Sequence, residues 1–67
     1  MFQWIKNYRG FRCTNAKMWV FTEEDGSFST YVKCNGKEET DYDFATAESA
    51  KEWAEETWEL TAQAKFS

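Results

Sequence analysis

Two turn dipeptides constrain the fold of this chain more than any other feature. Asp25-Gly26 and Asn35-Gly36 are pairs that close tight β-hairpins, because their residues tolerate positive φ angles. They separate three runs rich in β-branched and aromatic residues, at positions 17–23, 28–34 and 38–44. The sequence therefore predicts a three-stranded antiparallel meander over residues 17–44.

A further β-prone run lies at residues 2–14 and contains Gly10. A glycine inside a strand marks a bulge or a break, so this run predicts one bulged strand or two short ones. The periodicity changes at Thr46, a suitable N-cap that is followed by alanines and by Glu48 in the first turn. Residues 46–64 are therefore predicted to form one C-terminal helix.

We expect the 67 residues to form a single domain of the α+β class. Residues 1–16 supply the N-terminal strand or strands, residues 17–44 the meander and residues 46–64 the helix. The predicted architecture is a three- to four-stranded antiparallel sheet with the helix packed on one face.

The charged residues of the second hairpin favour one register over another. A two-residue loop at Asn35-Gly36 would pair Val32 with Glu39 and bring acids onto an apolar face. A three-residue loop with Gly36 in a G1 bulge instead pairs Val32 with Glu38. In that register the face under the helix carries Phe28, Thr30, Val32, Thr40, Tyr42 and Phe44. The opposite face then carries Tyr31, Lys33, Glu39, Asp41 and Asp43.

The first strand of the meander is apolar on both faces, with Met18 and Val20 on one side and Trp19 and Phe21 on the other. Either pair can pack under the helix, and the other pair needs a cover. We expect the N-terminal run to fold across it with Phe2, Trp4, Ile5, Tyr8 and Phe11. The alternative is an open patch that binds a partner.

The chain lacks the residues on which most catalytic and metal sites depend. It has no histidine, and Cys13 and Cys34 cannot form a four-ligand zinc site alone. Its serines therefore have no histidine partner, and no glycine-rich phosphate loop is present. We expect a protein that is not an enzyme and that has no cofactor and no metal.

Hydropathy indicates a soluble, cytoplasmic protein without a membrane partner. No stretch approaches the roughly 20 apolar residues of a membrane span, and the start has no apolar run of signal-peptide length. In a reducing compartment Cys13 and Cys34 are interpreted as free, small apolar side chains on strands. A bridge between them would be relevant only to an exported protein.

The net charge of −4 conceals an asymmetry along the chain. Residues 1–22 carry four cations and no acid, whereas residues 23–67 carry all twelve acids and four lysines. Five glutamates share one face of the predicted helix and form an acidic stripe: Glu48, Glu52, Glu55, Glu56 and Glu59. The stripe places about one charge per 4 Å of helix axis, against about 3.4 Å between phosphates along one DNA strand.

The acidic stripe, together with Asp41, Asp43 and Tyr31, is the first candidate for a partner-binding site. Such a row of charges attracts the basic groove of a nucleic-acid-binding protein. We therefore expect a non-catalytic inhibitor of a basic nucleic-acid-binding protein, present as a monomer or a homodimer.

A resemblance in size, charge and build points the same way. Very short, acidic, aromatic-rich domains with a small sheet and one or two helices are similar to phage-encoded anti-defence proteins, including anti-CRISPR and anti-restriction proteins. The resemblance implies a phage or mobile-element protein that acts in the host-cell cytoplasm. Its partner would be a host defence protein whose basic surface it occupies.

A second hypothesis rests on the N-terminal run, where Lys6, Arg9 and Arg12 alternate with aromatic residues. Cations bind phosphates and rings stack on bases, so this strip is typical of a nucleic-acid contact. The segment Tyr8-Arg9-Gly10-Phe11-Arg12 resembles the opening of the plant ethylene-response-factor DNA-binding domain, and Phe44-Ala45-Thr46-Ala47-Glu48-Ser49-Ala50 resembles the start of its helix. The resemblance implies three strands followed by one helix, with Arg9 and Arg12 as DNA contacts.

A third hypothesis is a homodimeric assembly module. An exposed sheet face around Met18, Val20 and Tyr31, or around Trp19 and Phe21, would then pair with a second copy of the chain.

Overall fold

The computed structural model describes residues 1–64, in which a five-stranded antiparallel sheet carries one helix on one face. The strands follow one another across the sheet in chain order, from β1 to β5. The elements are β1 (Trp4–Asn7), β2 (Gly10–Cys13), β3 (Met18–Thr22), β4 (Phe28–Cys34), β5 (Lys37–Phe44) and α1 (Ala47–Ala64). The α+β class, the meander and the C-terminal helix are confirmed. The sheet has one strand more than the upper predicted number, because the N-terminal run forms a hairpin of two short strands.

Local sequence explains the ends of these elements. The Thr46 hydroxyl accepts a hydrogen bond from the Ser49 backbone N–H at 3.1 Å, which confirms Thr46 as the N-cap of α1. In the β3–β4 turn, one carboxylate oxygen of Asp25 accepts hydrogen bonds from both the N–H and the hydroxyl of Ser27. Both hairpins predicted from the turn dipeptides are therefore present, and Gly26 adopts a φ of 88°.

The predicted three-residue loop between β4 and β5 is wrong. Asn35 and Gly36 have φ angles of 54° and 81°, which form a two-residue turn of the primed type, and Val32 pairs with Glu39. Glu39 is tolerated opposite a buried valine because β5 is an edge strand, and its carboxylate stays exposed to solvent. The sequence-based prediction rejected this register because it assumed that a residue paired with Val32 must be buried.

A bulge in β5 then shifts the alternation of its side chains by one residue. Between the pairs Phe28–Phe44 and Thr30–Asp41, the two residues Tyr42 and Asp43 oppose Ser29 alone, and Asp43 has a φ of 66°. Phe44 therefore returns to the helix side, where its ring lies 6.1 Å from that of Trp53. Glu39 and Asp41 lie on the helix side and Thr40 and Tyr42 on the opposite side, which reverses the prediction for these four residues.

The core lies between α1 and the central strands. Met18 and Val20 are the β3 pair under the helix, and with Val32 they are fully buried. Ala50 and Ala54 of α1 are also fully buried, so the helix backbone approaches the sheet closely. Trp53 and Trp58 pack at the borders of this core and remain partly exposed.

The N-terminal run does not fold across the other side of the sheet, so the expected cover is absent. Its two strands instead extend the sheet edge, with β2 paired to β3 and β1 paired to β2. Pairing in the plane satisfies the backbone N–H and C=O groups of β2 and of the β3 edge, which a strand laid across side chains would leave without partners.

Cys13 and Cys34 are both buried and free, as interpreted from the sequence. Cys13 donates to Asn15 Oδ1 at 3.0 Å, so its thiol has a partner within the fold. Over residues 1–64, no helix is both long and apolar enough to cross a membrane.

Candidate binding surface

The side of the sheet that faces away from α1, called the open face, is the most distinctive surface of the molecule. Directly paired residues on neighbouring antiparallel strands project to the same side. One row of such pairs crosses the whole sheet on this side: Ile5, Arg12, Trp19, Tyr31 and Thr40. The next row contains Asn7, Gly10, Phe21 and Ser29.

Aromatic rings form the centre of the open face. Trp19 and Tyr31 pack against each other across β3 and β4, with ring centroids 5.3 Å apart and planes tilted by 36°. Phe21 lies beside them in the next row, between Gly10 and Ser29. All three rings are only half-buried, because no second layer covers them within the described residues 1–64.

The Tyr31 ring is held in place by an acid. Its hydroxyl donates to Glu38 Oε1 at 2.6 Å. This hydrogen bond, with burial and the charge of Glu38, raises the pKa of Tyr31 above its ordinary value of 10.0. Glu38 also pairs with Lys33 across the strands, so its charge lies next to a cation. The ring is thus fixed at its polar end, and its face stays available for stacking.

Cations surround the rings. Arg12 lies between Ile5 and Trp19 in the first row, and Lys33 follows Tyr31 by two positions on β4, so both project from the open face. Arg9 lies in the β1–β2 turn with its guanidinium carbon 5.5 Å from the centre of the Tyr8 ring. Two of the three predicted nucleic-acid contacts, Arg9 and Arg12, therefore lie at the open face or its edge.

Lys6 does not belong to this surface. It pairs with Phe11, which pairs with Val20, so Lys6 projects from the helix side of the sheet. The third cation of the open face is Lys33 instead. The sequence contained the signal for Lys33, because a residue two positions after Tyr31 on a strand must share its face.

A groove runs along the edge of the open face next to the β1–β2 turn. Its volume is about 470 Å³, within the size range of small-ligand sites. Tyr8, Arg9 and Arg12 line one part of it, and Trp19 and Phe21 line another. The groove thus combines cations with apolar rings.

The acidic stripe predicted on α1 is only partly free. Glu48, Glu52, Glu56 and Glu59 are exposed, whereas Glu55 is half-buried and accepts a hydrogen bond from the Trp4 indole N–H at 2.8 Å. Glu55 lies at the border of the helix face and joins β1 to α1. The side chain of Lys51 lies nearby on the same flank, with its ammonium 3.9 Å from the centre of the Phe11 ring.

The other predicted partner contacts are divided between the two sides of the sheet. Asp41 is half-buried on the helix side, and its carboxylate accepts the Tyr42 backbone N–H at 2.8 Å. Asp43 is exposed in the β5 bulge. Tyr31 lies on the open face, with the sheet between it and the acidic stripe. The eight residues predicted as one partner site therefore do not form one continuous surface.

Charge is only partly separated by the sheet, because Glu38 and Glu23 contact Tyr31 and Ser29 on the open face and Lys6 lies on the helix side. The helix side carries the exposed glutamates of α1 and Glu39 of β5, whereas the open face carries Arg12 and Lys33 next to Arg9. Within residues 1–64, no group of three or more Cys, Asp or Glu side chains is arranged to hold a metal ion. The open face therefore presents aromatic rings with Arg9, Arg12 and Lys33 beside them.

Searches of protein-family models, of curated protein sequences and of solved structures found no match to this chain.

Proposed function

We propose that this chain is a non-catalytic domain that binds single-stranded nucleic acid on the open face of its sheet. The observation that supports this proposal is the half-exposed cluster of Trp19, Phe21 and Tyr31, flanked by Arg9, Arg12 and Lys33. Bases stack on the rings, and the cations bind the phosphates that connect those bases. Nucleic-acid binding, the second hypothesis from the sequence, is thus the function that we propose first.

Single strands fit this surface better than duplexes. The rings project from a sheet, and in a duplex the base faces are already stacked on one another and are not accessible to them. A single strand can turn its bases toward the protein and its phosphates toward flanking cations. The surface also presents no helix that would insert into a major groove, because α1 lies on the opposite side.

The net charge of −4 is compatible with this function because the exposed glutamates of α1 lie on the other side of the sheet. Glu38, the acid beside Tyr31 on the open face, is paired across the strands with Lys33. The Cα atoms extend 17 Å along the shortest axis of the molecule. The Debye length at physiological ionic strength is about 8 Å, so the exposed glutamates of α1 are largely screened from a strand on the open face. They also orient the molecule, since they repel phosphates from the helix side.

Binding of a fluorescently labelled single-stranded oligonucleotide tests the proposal. We expect affinity to fall as salt increases, with a slope of about 0.7 in log K per phosphate contact. Lys33→Ala should weaken binding, and Lys6→Ala is the matched control, because both lysines are exposed but lie on opposite sides of the sheet. Absence of binding by the wild-type chain at low salt, or equal effects of the two substitutions, would contradict the proposal.

The helix side supports a second candidate function, the binding of a protein with a basic nucleic-acid-binding surface. Four glutamates of α1 remain exposed at helical spacing, and Glu39 lies on the same side of the sheet. As an inhibitor, the chain would compete with nucleic acid for such a partner, in the manner of a phage anti-defence protein. Charge reversal of Glu52, Glu56 and Glu59 to lysine should abolish that competition. If the reversal has no effect, this second candidate is wrong.

A further inference from the structure

We infer that the groove next to the β1–β2 turn is a subsite that takes one unstacked base of the bound strand. This inference rests on the proposed function and names the part of the open face that holds a base most closely. It follows from three features of the groove: a half-exposed ring, a fixed amide and two cations.

The half-exposed ring is that of Phe21. Its cross-strand partner on β2 is Gly10, whose own partner on β1 is Asn7. Gly10 has a φ of 145°, and a Cβ at this position would lie 2.2 Å from the Val20 carbonyl oxygen, so no other residue fits there without a backbone shift. Position 10 therefore places no side chain between Asn7 and Phe21. Phe21 is half-buried and lines the groove, so part of its ring is accessible to a flat ligand.

The fixed amide is that of Asn7. Its Oδ1 accepts the Arg9 backbone N–H at 2.9 Å, which determines the orientation of the side chain. The Nδ2 group is then the part of Asn7 that can donate to a ligand in the groove. A base offers carbonyl and ring-nitrogen acceptors on its edge, so an inserted base can stack on Phe21 and accept a hydrogen bond from Asn7.

The two cations are Arg9 and Arg12, which line the groove together with Tyr8. Tyr8 is 91% exposed, so its ring has no packing role to lose when it moves over a ligand. Guanidinium groups bind phosphate oxygens with two parallel hydrogen bonds. The base would thus enter between Tyr8 and Phe21, and the phosphates on either side of it would meet Arg9 and Arg12.

Two oligomers of about eight units, within the site size usual for such surfaces, separate base insertion from phosphate binding. One is oligouridylate, and the other is an abasic strand with the same sugar–phosphate backbone. We expect the intact protein to bind oligouridylate at least about tenfold more tightly, as stacking of bases predicts. Amide NMR signals of residues 7–12 should shift with oligouridylate and much less with the abasic strand. Equal affinities for the two strands would overturn the subsite and leave phosphate binding intact.

Substitutions then locate the base. Phe21→Leu preserves apolar volume but removes the ring, and Tyr8→Ala changes an exposed side chain whose loss leaves the core unaltered. Each should weaken oligouridylate binding several-fold and leave abasic-strand binding unchanged. Tyr42→Ala is the matched control, since Tyr42 is 66% exposed on the same side but lies at the far edge of the sheet.

The outcomes distinguish the two proposals. If the wild-type chain binds oligouridylate while Phe21→Leu and Tyr8→Ala bind it as well as the wild type, the subsite is wrong and the proposed function stands. If the wild-type chain binds neither strand at low salt, the proposed function itself is wrong. Selective loss in Phe21→Leu and Tyr8→Ala, with Tyr42→Ala unaffected, supports both.

Discussion

The two sides of the sheet differ in the size of the side chains they bury. Under α1 the fully buried residues are of moderate or small size, such as Met18, Val20, Val32, Ala50 and Ala54. The open face carries Trp19, Phe21 and Tyr31, which are larger and only half-buried. Within residues 1–64 no aromatic residue is among the buried set. The aromatic surplus of this chain therefore serves its borders and its open face more than the centre of its core.

The largest expected effect compares adjacent positions on β3. Met18→Lys places a charge in the core and should lower the free energy of unfolding by about 4 kcal/mol or more, enough to prevent cooperative folding. Trp19→Lys places the same charge on the open face and should cost about 1–2 kcal/mol, the value of a half-buried ring. Urea unfolding of both variants measures the difference.

Equal destabilisation by these two substitutions would contradict an open face in solution. It would favour the homodimeric module, in which a second copy covers Trp19 and Phe21. Light scattering at high concentration decides between the two, because a monomer mass requires the open face to be free of a second copy.

A smaller effect compares two glutamates of the acidic stripe. Glu55→Ala removes the acceptor of the Trp4 indole N–H and should lower the free energy of unfolding by about 1 kcal/mol. Glu52→Ala alters an exposed carboxylate and should change it by less than about 0.5 kcal/mol. Thermal unfolding followed by tryptophan fluorescence measures both. If Glu52→Ala costs as much as Glu55→Ala, the indole contact does not join β1 to α1 in solution.

An effect of similar size and opposite sign is expected at Thr30. Thr30 is 2% exposed on the helix side, and its buried hydroxyl has no hydrogen-bond partner within the described residues. Thr30→Val keeps the shape and removes the unsatisfied group, so it should raise the free energy of unfolding by about 1 kcal/mol. Thr40→Val on the exposed part of the open face is the control and should be nearly neutral. A destabilised Thr30→Val protein would indicate that the hydroxyl has a partner, such as a bound water.

The smallest effect is a pH dependence on the open face. Because the Glu38 contact raises the pKa of Tyr31, its stabilisation is complete below the ordinary tyrosine pKa of 10.0 and is lost as pH rises through the higher folded value. Glu38→Gln should move the Tyr31 titration, followed by tyrosinate absorbance, toward lower pH. Glu39→Gln is the matched control, since Glu39 lies on the helix side, and it should leave the titration unchanged.

Sequence signals such as caps and turn dipeptides predicted most of the strands and the helix, but little of the register and packing between them. Thr46 acts as an N-cap through contacts within four residues, and Asn35-Gly36 closes a hairpin through its own φ angles. The choice of register for β4 and β5 depended on whether Glu39 is buried or exposed to solvent. The residues next to Glu39 in the sequence do not indicate this. The bulge at Tyr42 and Asp43 was missed for the same reason, since it brings Phe44 to Trp53 on a distant element.

The candidate site divides in the same way. Sequence identified Arg9, Arg12 and the aromatic strip, because alternation of cations and rings is visible along the chain. It assigned Lys6 to the same site, although alternation along β1 and the pairing with Phe11 direct Lys6 to the helix side. It also joined Tyr31 to the acidic stripe, from which the sheet separates it.

The sequence by itself determined the α+β class, the turns, the helix and the unequal distribution of charge, since each depends on residues close together in the chain. Only the tertiary structure decided which side of β3 is core, that the N-terminal hairpin extends the sheet, and that Arg12 and Lys33 lie on the side opposite the glutamates of α1. Those outcomes depend on backbone hydrogen bonds between strands distant in the chain and on the face of the sheet against which the helix packs. Among residues 1–64 one helix packs on one face of the sheet, and the rings of Trp19, Phe21 and Tyr31 stay half-exposed on the other.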